Sequence, residues 1–237
     1  GHYYLAFAST CCPEGIGYAM SDSPTGPWKT RGYIMRPTDR TRGNHPGIMD
    51  YKGKSYVFGL NYDLLKLETD THYERRSVAV AEMHYNADGT IQEVPYWADT
   101  KLEQIGTFNP FRRVEAETMA WGYGLQTAPN GMQGLSVVNV NNGEYICVRG
   151  VDFGKNKAHR FEVFALPLVG GNLKIRLDAP DGKIVGNVTI PQGSETSNYQ
   201  LYSCEVNAVS GVHDLYLSFE GENKKDLFEL DYWRFRN

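Results

Sequence analysis

Two glutamates spaced i and i+2, Glu115 and Glu117 in the run Val114-Glu115-Ala116-Glu117, are the first residues whose placement suggests chemistry. In a strand, positions two apart share a face, so this run predicts two carboxylates side by side. Like charges that crowd together repel unless a cation or a base sits with them, and Arg112, Arg113 and Arg234 are the candidate cross-strand partners. Five more acids, Glu14, Asp22, Asp39, Asp50 and Asp63, lie in or beside turns of the first half. General acid–base hydrolysis needs one carboxylate to activate water and a protonated one to meet the leaving group. These five are read as solvated turn carboxylates, with Asp22 capping the turn at Ser21-Asp22-Ser23-Pro24, rather than as such a pair. Of the cysteines, Cys11 and Cys12 are adjacent, and no CxxC or Cys/His spacing of a zinc site occurs. Cys147 and Cys204 fall in strand-like runs and are read as free and buried, a bridge between them being the alternative. Aromatics make up 13%, including 16 tyrosines. Such rings stack on the C–H faces of pyranoses, and they equally suit a well-packed β protein.

The elements that position these residues are strands throughout. A chain of 237 residues holds one large domain or two of about 100–130 residues. Strand signals fall at 2–10, 15–21, 31–35, 47–51, 55–60, 77–85 and 91–94, with Lys52-Gly53-Lys54 reading as a hairpin turn. Four antiparallel strands make one propeller blade, so residues 1–96 supply most of one blade and one whole blade, too few to close a ring. Residues 97–109 are polar, run into Asn109-Pro110, and read as a linker. From Arg112 the pattern restarts, and nine short strands with Gly and Asn turns predict a β-sandwich over 110–237. No ten-residue stretch carries a helical period. The expected fold is all-β. The net charge of −4, split evenly between the halves, argues against non-specific nucleic-acid binding. No run of 18 apolar residues exists to span a membrane, and the opening GHYYLAF lacks the pattern of a signal peptide.

The first half resembles the C-terminal part of the catalytic domain of glycoside hydrolase family 43. The matching segments are YYLAFAST (3–10), EGIGYAMSDSPTGPW (14–28), NHPGIMDYKGKSYVF (44–58) and RRSVAVAEMHYNADGTI (75–91). The second half resembles a family 6 carbohydrate-binding module through NPFRRVEAETMAW (109–121), NNGEYICVRGVDFG (141–154), SGVHDLYLSFEG (210–221) and LFELDYWRF (227–235). The resemblance implies part of a five-bladed β-propeller, two blades of it, followed by a β-sandwich jelly roll. The pairing looks like arabinofuranosidases and xylosidases acting on arabinoxylan.

The family's base, acid and orienting carboxylate would all precede Gly1, so the resemblance implies a portion of an inverting hydrolase that lacks its catalytic carboxylates and is inactive alone. The missing blades would otherwise come from another chain. His45 matches a histidine on the propeller axis beside a metal, commonly calcium, or a water. Arg76 matches an arginine that contacts the sugar at the cleavage point; its competing reading is an ion pair with Glu74 or Glu82. In the module, the first and last strands of the family are neighbours, which implies that Glu115, Glu117 and Asp231 hold a structural calcium through oxygen ligands. In the family's main cleft a sugar lies between two aromatic rings above an Asn. Those positions fall at Asn139, near Thr196 and at Glu229, and all three depart from the pattern. Trp121, Tyr123 and Tyr145 could build another surface. The partner implied is a polysaccharide of the arabinoxylan type, and the compartment is secreted or periplasmic. The competing readings are a calcium-dependent carbohydrate-binding module without catalysis, and a scaffold whose open blade edges pair with another chain.

Overall fold

A computed structural model describes residues 1–9, 13–41, 43–61, 77–99, 102–131, 134–155, 158–222 and 226–237. Strands dominate it, and no helix among the described residues is long and apolar enough to cross a membrane. The chain divides into two compact units, Gly1–Glu103 and Gln104–Asn237.

In the first unit, β1 (Tyr3–Ser9), β2 (Gly15–Ser21) and β3 (Lys29–Met35) form one antiparallel sheet, and β4 (Gly47–Tyr51), β5 (Lys54–Asn61) and β6 (Ser77–Met83) form a second. These sheets are blades of a partial β-propeller. The hairpin expected at Lys52-Gly53-Lys54 forms, with a two-residue turn, because Lys54 already belongs to β5. Lys52 and Gly53 both take positive φ, 49° and 78°, the mirror-image turn whose twist suits a hairpin. One core joins the two sheets. Ile16, Tyr18, Met20 and Ile34 pack with Val57, Ala81 and Met83, and the chain then adds Ile91, Val94, Tyr96 and Trp97. Gly59 lets Trp97 in, since a Cβ there would stand 2.4 Å from the indole Cζ2.

The expected strand at 91–94 is not formed. Ile91 makes a single bridge with Tyr85. Val94 N then donates to Ile34 O at 2.7 Å, and Glu93 takes a two-pronged bond from Arg36 at 3.0 and 2.9 Å. Gln92 N still donates to His84 O at 2.8 Å, and past it the segment turns to the edge of β3, so that among the described residues the second sheet has three strands. The expected linker is also partly structural. Trp97, 5% exposed, belongs to the first core, whereas Phe108 packs against the second.

The second unit is a sandwich of two antiparallel sheets. β7 (Val114–Glu115), β8 (Trp121–Tyr123), β9 (Gln126–Pro129), β10 (Leu135–Val138), β11 (Tyr145–Asp152), β12 (Ala158–Pro167), β13 (Gly171–Leu177), β14 (Ile184–Ile190), β15 (Gln200–Val209), β16 (Val212–Glu220) and β17 (Phe228–Arg236) follow in order. One sheet runs β15-β12-β17-β10-β9, with β7 also on β17. The other runs β14-β13-β16-β11-β8. Alternation explains the sandwich: in β16, Leu215, Leu217 and Phe219 are buried while Tyr216, Ser218 and Glu220 face outward. Facing them, β12 and β17 contribute Phe161, Val163, Trp233 and Phe235. β8 and β9 are strands that the sequence reading missed; both are short, and β8 carries a glycine. In β11 the pairing with β16 slips between Val148 and Val151. Gly150 sits there at φ +61°, and its amide donates to Asp214 Oδ1 at 2.9 Å, the signature of a glycine bulge.

Candidate functional site

Glu115, Glu117 and Asp231 line one pocket, with Arg113, Asn130 and Phe164. They reach it by a different route from the one expected. The strand holds only Val114 and Glu115, and Glu117 lies in the turn after it. Pairing with the last strand fixes the turn: Tyr232 lies opposite Glu115, and Ala116 N donates to Asp231 O at 2.8 Å. Arg113 supplies the positive charge. It donates to both oxygens of Glu115 at 2.7 and 3.0 Å and to Asp231 Oδ2 at 3.1 Å, with its guanidinium 4.1 Å above the Tyr232 ring. Asn130 Nδ2 donates to Asp231 Oδ1 at 2.8 Å. Burial pushes the Asp231 carboxyl upward, against the pull of Arg113; Glu115 adds to the rise and the Asn130 bond opposes it. Glu117 Oε2 is buried without a hydrogen-bond partner. Among the described residues no three His, Cys, Asp or Glu side chains stand in metal-binding geometry. Glu115 and Asp231 are engaged by Arg113 and Asn130, so the orphaned Glu117 oxygen is the one observation here that calls for a hard cation.

The outward face of the β14-β13-β16-β11-β8 sheet carries a row of rings. Tyr123 and Tyr145 stack with centroids 5.9 Å apart and planes 16° apart. Tyr145 lies 5.7 Å from Tyr216. The strand register places them, since Tyr145 is opposite Tyr123, and Cys147 is opposite Tyr216. Burial, then the contact with Cys147, pushes the Tyr216 hydroxyl up to about 12. Beyond the rings the same face turns polar. Arg176 Nε donates to Ser218 Oγ at 3.1 Å, Lys174 bonds to Glu220, and Asn187 Nδ2 and Thr189 Oγ1 both donate to Asn172 Oδ1, at 3.0 and 2.9 Å. Rings beside amides and hydroxyls suit a sugar chain, which needs both apolar contact and hydrogen bonds.

Glu229, one of the positions matched to the family's main cleft, has an aromatic neighbour. The ring beside Glu229 is Tyr199, three residues after Thr196. Its hydroxyl donates to Glu229 Oε2 at 2.6 Å and also meets Ser136 Oγ at 2.9 Å, and its ring stacks on Phe164 with centroids 5.8 Å apart. Both its hydroxyl and one ring face are therefore already engaged.

The family model of carbohydrate binding module family 6 matches residues 115–237. The chain belongs to carbohydrate-binding module family 6. Similarity also runs through both units. An arabinoxylan arabinofuranohydrolase of Paenibacillus polymyxa is 33% identical over 246 residues, covering 98% of this chain and 39% of the relative. One of Bacillus subtilis (strain 168) is 33% identical over 232 residues, covering 94% and 45%. The chain thus spans less than half the length of these relatives. Among solved structures, a glycoside hydrolase family 43 arabinoxylan arabinofuranohydrolase from Bacillus subtilis, in complex with cellotetraose, aligns with a TM-score of 0.87 at 29% identity, covering all of this chain and 52% of that one. A family 6 module from Clostridium cellulolyticum in complex with xylose aligns with a TM-score of 0.51 at 32% identity, covering 55% of this chain and all of the module. Both resemblances read from the sequence are thereby borne out.

In the first unit, His45 is exposed in the loop after the buried Asn44, and no metal-binding group among the described residues includes it. Arg76 lies outside the described residues, as do Cys11, Cys12, Asp63 and Glu74. Glu82, one suggested partner of Arg76, takes Lys54 Nζ at 2.8 Å. Of the turn acids, Glu14 keeps a buried Oε2 without a hydrogen-bond partner, and the turn after β2 is capped by Ser21 Oγ, which accepts from Ser23 N at 3.1 Å, rather than by Asp22. Asp22 meets His2 at 3.2 Å, and Asp50 accepts from Ser55 at 2.5 Å. Cys147 and Cys204 are free thiols, the first buried and the second half-buried. Two rings beside the residues singled out in the sequence escaped that reading. Tyr216 needed strand pairing to bring it to Tyr145, and Tyr199 needed the structure to show which ring meets Glu229.

Proposed function

We propose that residues 104–237 bind a β-linked polysaccharide of the xylan type on the outward face that carries Tyr123, Tyr145 and Tyr216, and that they do so as part of an arabinoxylan-degrading hydrolase. The observation that carries the reading is this row of rings beside the polar side chains of β13, β14 and β16. Calorimetric titration of the chain with xylohexaose tests it. Tyr145→Ala is expected to weaken binding about tenfold, the loss of one stacked ring. Unchanged affinity would overturn the assignment of this face. In this reading the 237 residues carry no catalytic carboxylate pair, so the same sample is expected to release no nitrophenol from nitrophenyl arabinofuranoside. Support comes from Asp22 and Asp50, whose carboxylates are engaged by His2 and Ser55. The reading includes a compartment outside the cytoplasm, secreted or periplasmic, where a polysaccharide substrate would be met.

The same proposal includes a structural calcium held by Glu115, Glu117 and Asp231, which would supply positive charge to the orphaned Glu117 oxygen. The reading extends to the first unit, where His45 would stand on the propeller axis beside a metal or a water and Arg76 would contact the sugar. Millimolar calcium is expected to raise the melting temperature of the module, and EDTA to reverse the rise; with Asp231→Asn the gain should vanish. The folded-state pKa of Asp231 is raised, so its ionised form costs the metal-free fold stability, and that cost is relieved as pH falls through the raised pKa. Protons and calcium compete for the carboxylate, so the calcium-dependent gain shrinks over the same range. A melting temperature indifferent to calcium at neutral pH would remove the metal from the reading.

A further inference from the structure

On the outward face of the other sheet, three arginines gather at one carboxylate. Arg234 Nε and Arg236 Nε both donate to Glu162 Oε2, at 2.7 and 3.2 Å, and Arg160 Nε stands 3.7 Å from Glu162 Oε1. Register explains the gathering, because Glu162 lies opposite Arg234, and Arg160 opposite Arg236. On the far side of β12, Ser203 is opposite Glu162 and Glu205 opposite Arg160. Arg160 Nη2 donates to Ser203 Oγ at 2.7 Å. Burial works against ionisation of Glu162, but the bonds from Arg234 and Arg236 outweigh it and hold the carboxyl below its usual range.

The bonding is incomplete in a specific way. A guanidinium normally meets a carboxylate with two parallel bonds, as Arg36 does with Glu93 and Arg113 with Glu115. Arg234 and Arg236 instead share one oxygen through Nε alone. Their terminal nitrogens keep donors to spare. Counting Glu205, the patch holds three positive charges against two negative ones. The side chains of Arg160 and Arg236 are nearly half exposed, whereas Glu162 is only 11% exposed. A second carboxylate arriving from solvent would find free planar forks already held in place by Glu162.

We propose that this arginine cluster is a second binding site of the module, one that takes the carboxylate of a uronic-acid unit carried on the polysaccharide. The proposal rests on the module binding a xylan-type chain and adds recognition of an acidic decoration. The arginines sit on the sheet opposite the tyrosine row, so the two sites read different parts of a substrate or different chains.

The test is a calorimetric titration of the full chain with xylotetraose and with the same oligosaccharide bearing one glucuronate. The decorated sugar is expected to bind about fivefold tighter at low salt, the size of one exposed charge pair. The advantage should fade at high salt as exposed charges are screened. Arg236→Gln, and separately Arg160→Gln, should abolish the advantage and leave xylotetraose affinity unchanged. Equal affinity for the two sugars, or an advantage that survives both variants, overturns the proposal while leaving the tyrosine face intact. Displacement of the decorated sugar by inorganic phosphate as readily as by free glucuronate would mean a general anion patch, and also overturns it. Binding of the decorated sugar alone would uphold the arginine site and sink the tyrosine one.

Discussion

Trp233→Ala is expected to lower the stability of the 104–237 unit by about 3–5 kcal/mol, the usual cost of emptying a buried indole site. Trp233 is fully buried. It stacks on Phe161 at 6.1 Å and meets Phe235 edge-on at 6.0 Å and Phe108 at 6.4 Å. Its ring therefore touches β12, its own strand and the segment that enters the module. The neighbours belong to three backbone elements that cannot collapse together into the space, so relaxation is limited. Domains hold only about 5–15 kcal/mol in all, and the variant would lose a large part of that. Urea denaturation of the full chain followed by circular dichroism measures the shift. A midpoint within error of the parent would contradict the packing described. The indole Nε1 is buried without a partner, so Trp233→Phe should recover much of the loss, because it refills most of the volume and removes an unsatisfied donor.

The second large effect lies in the first unit. Asn44 is fully buried, and its amide joins three pieces of chain. Oδ1 accepts from Leu60 N at 3.3 Å and from Trp97 Nε1 at 3.4 Å, while Nδ2 donates to Glu14 O at 3.4 Å. Asn44→Leu keeps the bulk but leaves these buried groups without the amide. The expected cost is about 2–4 kcal/mol, because unmade buried hydrogen bonds keep their full desolvation penalty. Trp97 retains its bond to Leu60 O at 2.9 Å, which sets the upper limit. Thermal unfolding watched through tryptophan fluorescence would report it, and a loss below half a kcal/mol would mean that the amide is not the tie between these segments.

Much of this architecture is legible in the sequence because period-2 burial writes itself into strands such as β16 and β12. The Lys52-Gly53 turn is legible for a similar local reason: a positive φ asks for glycine. What failed was non-local. Ile91–Val94 reads as a strand by composition, yet Ile91 N bonds to the Tyr18 hydroxyl and Val94 N to Ile34 O, about 60–70 positions away in the chain, and nothing local announces that. The i, i+2 spacing of Glu115 and Glu117 correctly put two acids near each other, but a turn tied to Asp231 accomplishes it rather than a shared strand face. The arginine cluster is invisible in sequence for the same reason. Arg160 is more than 70 residues from Arg234 and Arg236, and only the β12–β17 register assembles them.

The pairing of β7 with β17 has a consequence for biosynthesis. The two strands that close the module are separated by almost its whole length, with Arg113 reaching across 118 positions to Asp231. The central sheet order also alternates early and late strands, so β12 waits for β17 and β11 waits for β16. Little of the sandwich interior can be sealed while the chain is still emerging from the ribosome. The first unit differs, since β1, β2 and β3 pair consecutively and each pair can form as it is made. Synthesis therefore delivers the propeller strands with local partners at hand, and the module as an open, apolar-faced chain until its final segment arrives. Long-range closure of that kind is slow and exposed to aggregation, so the yield of soluble protein should depend on chaperone supply through the second unit far more than through the first.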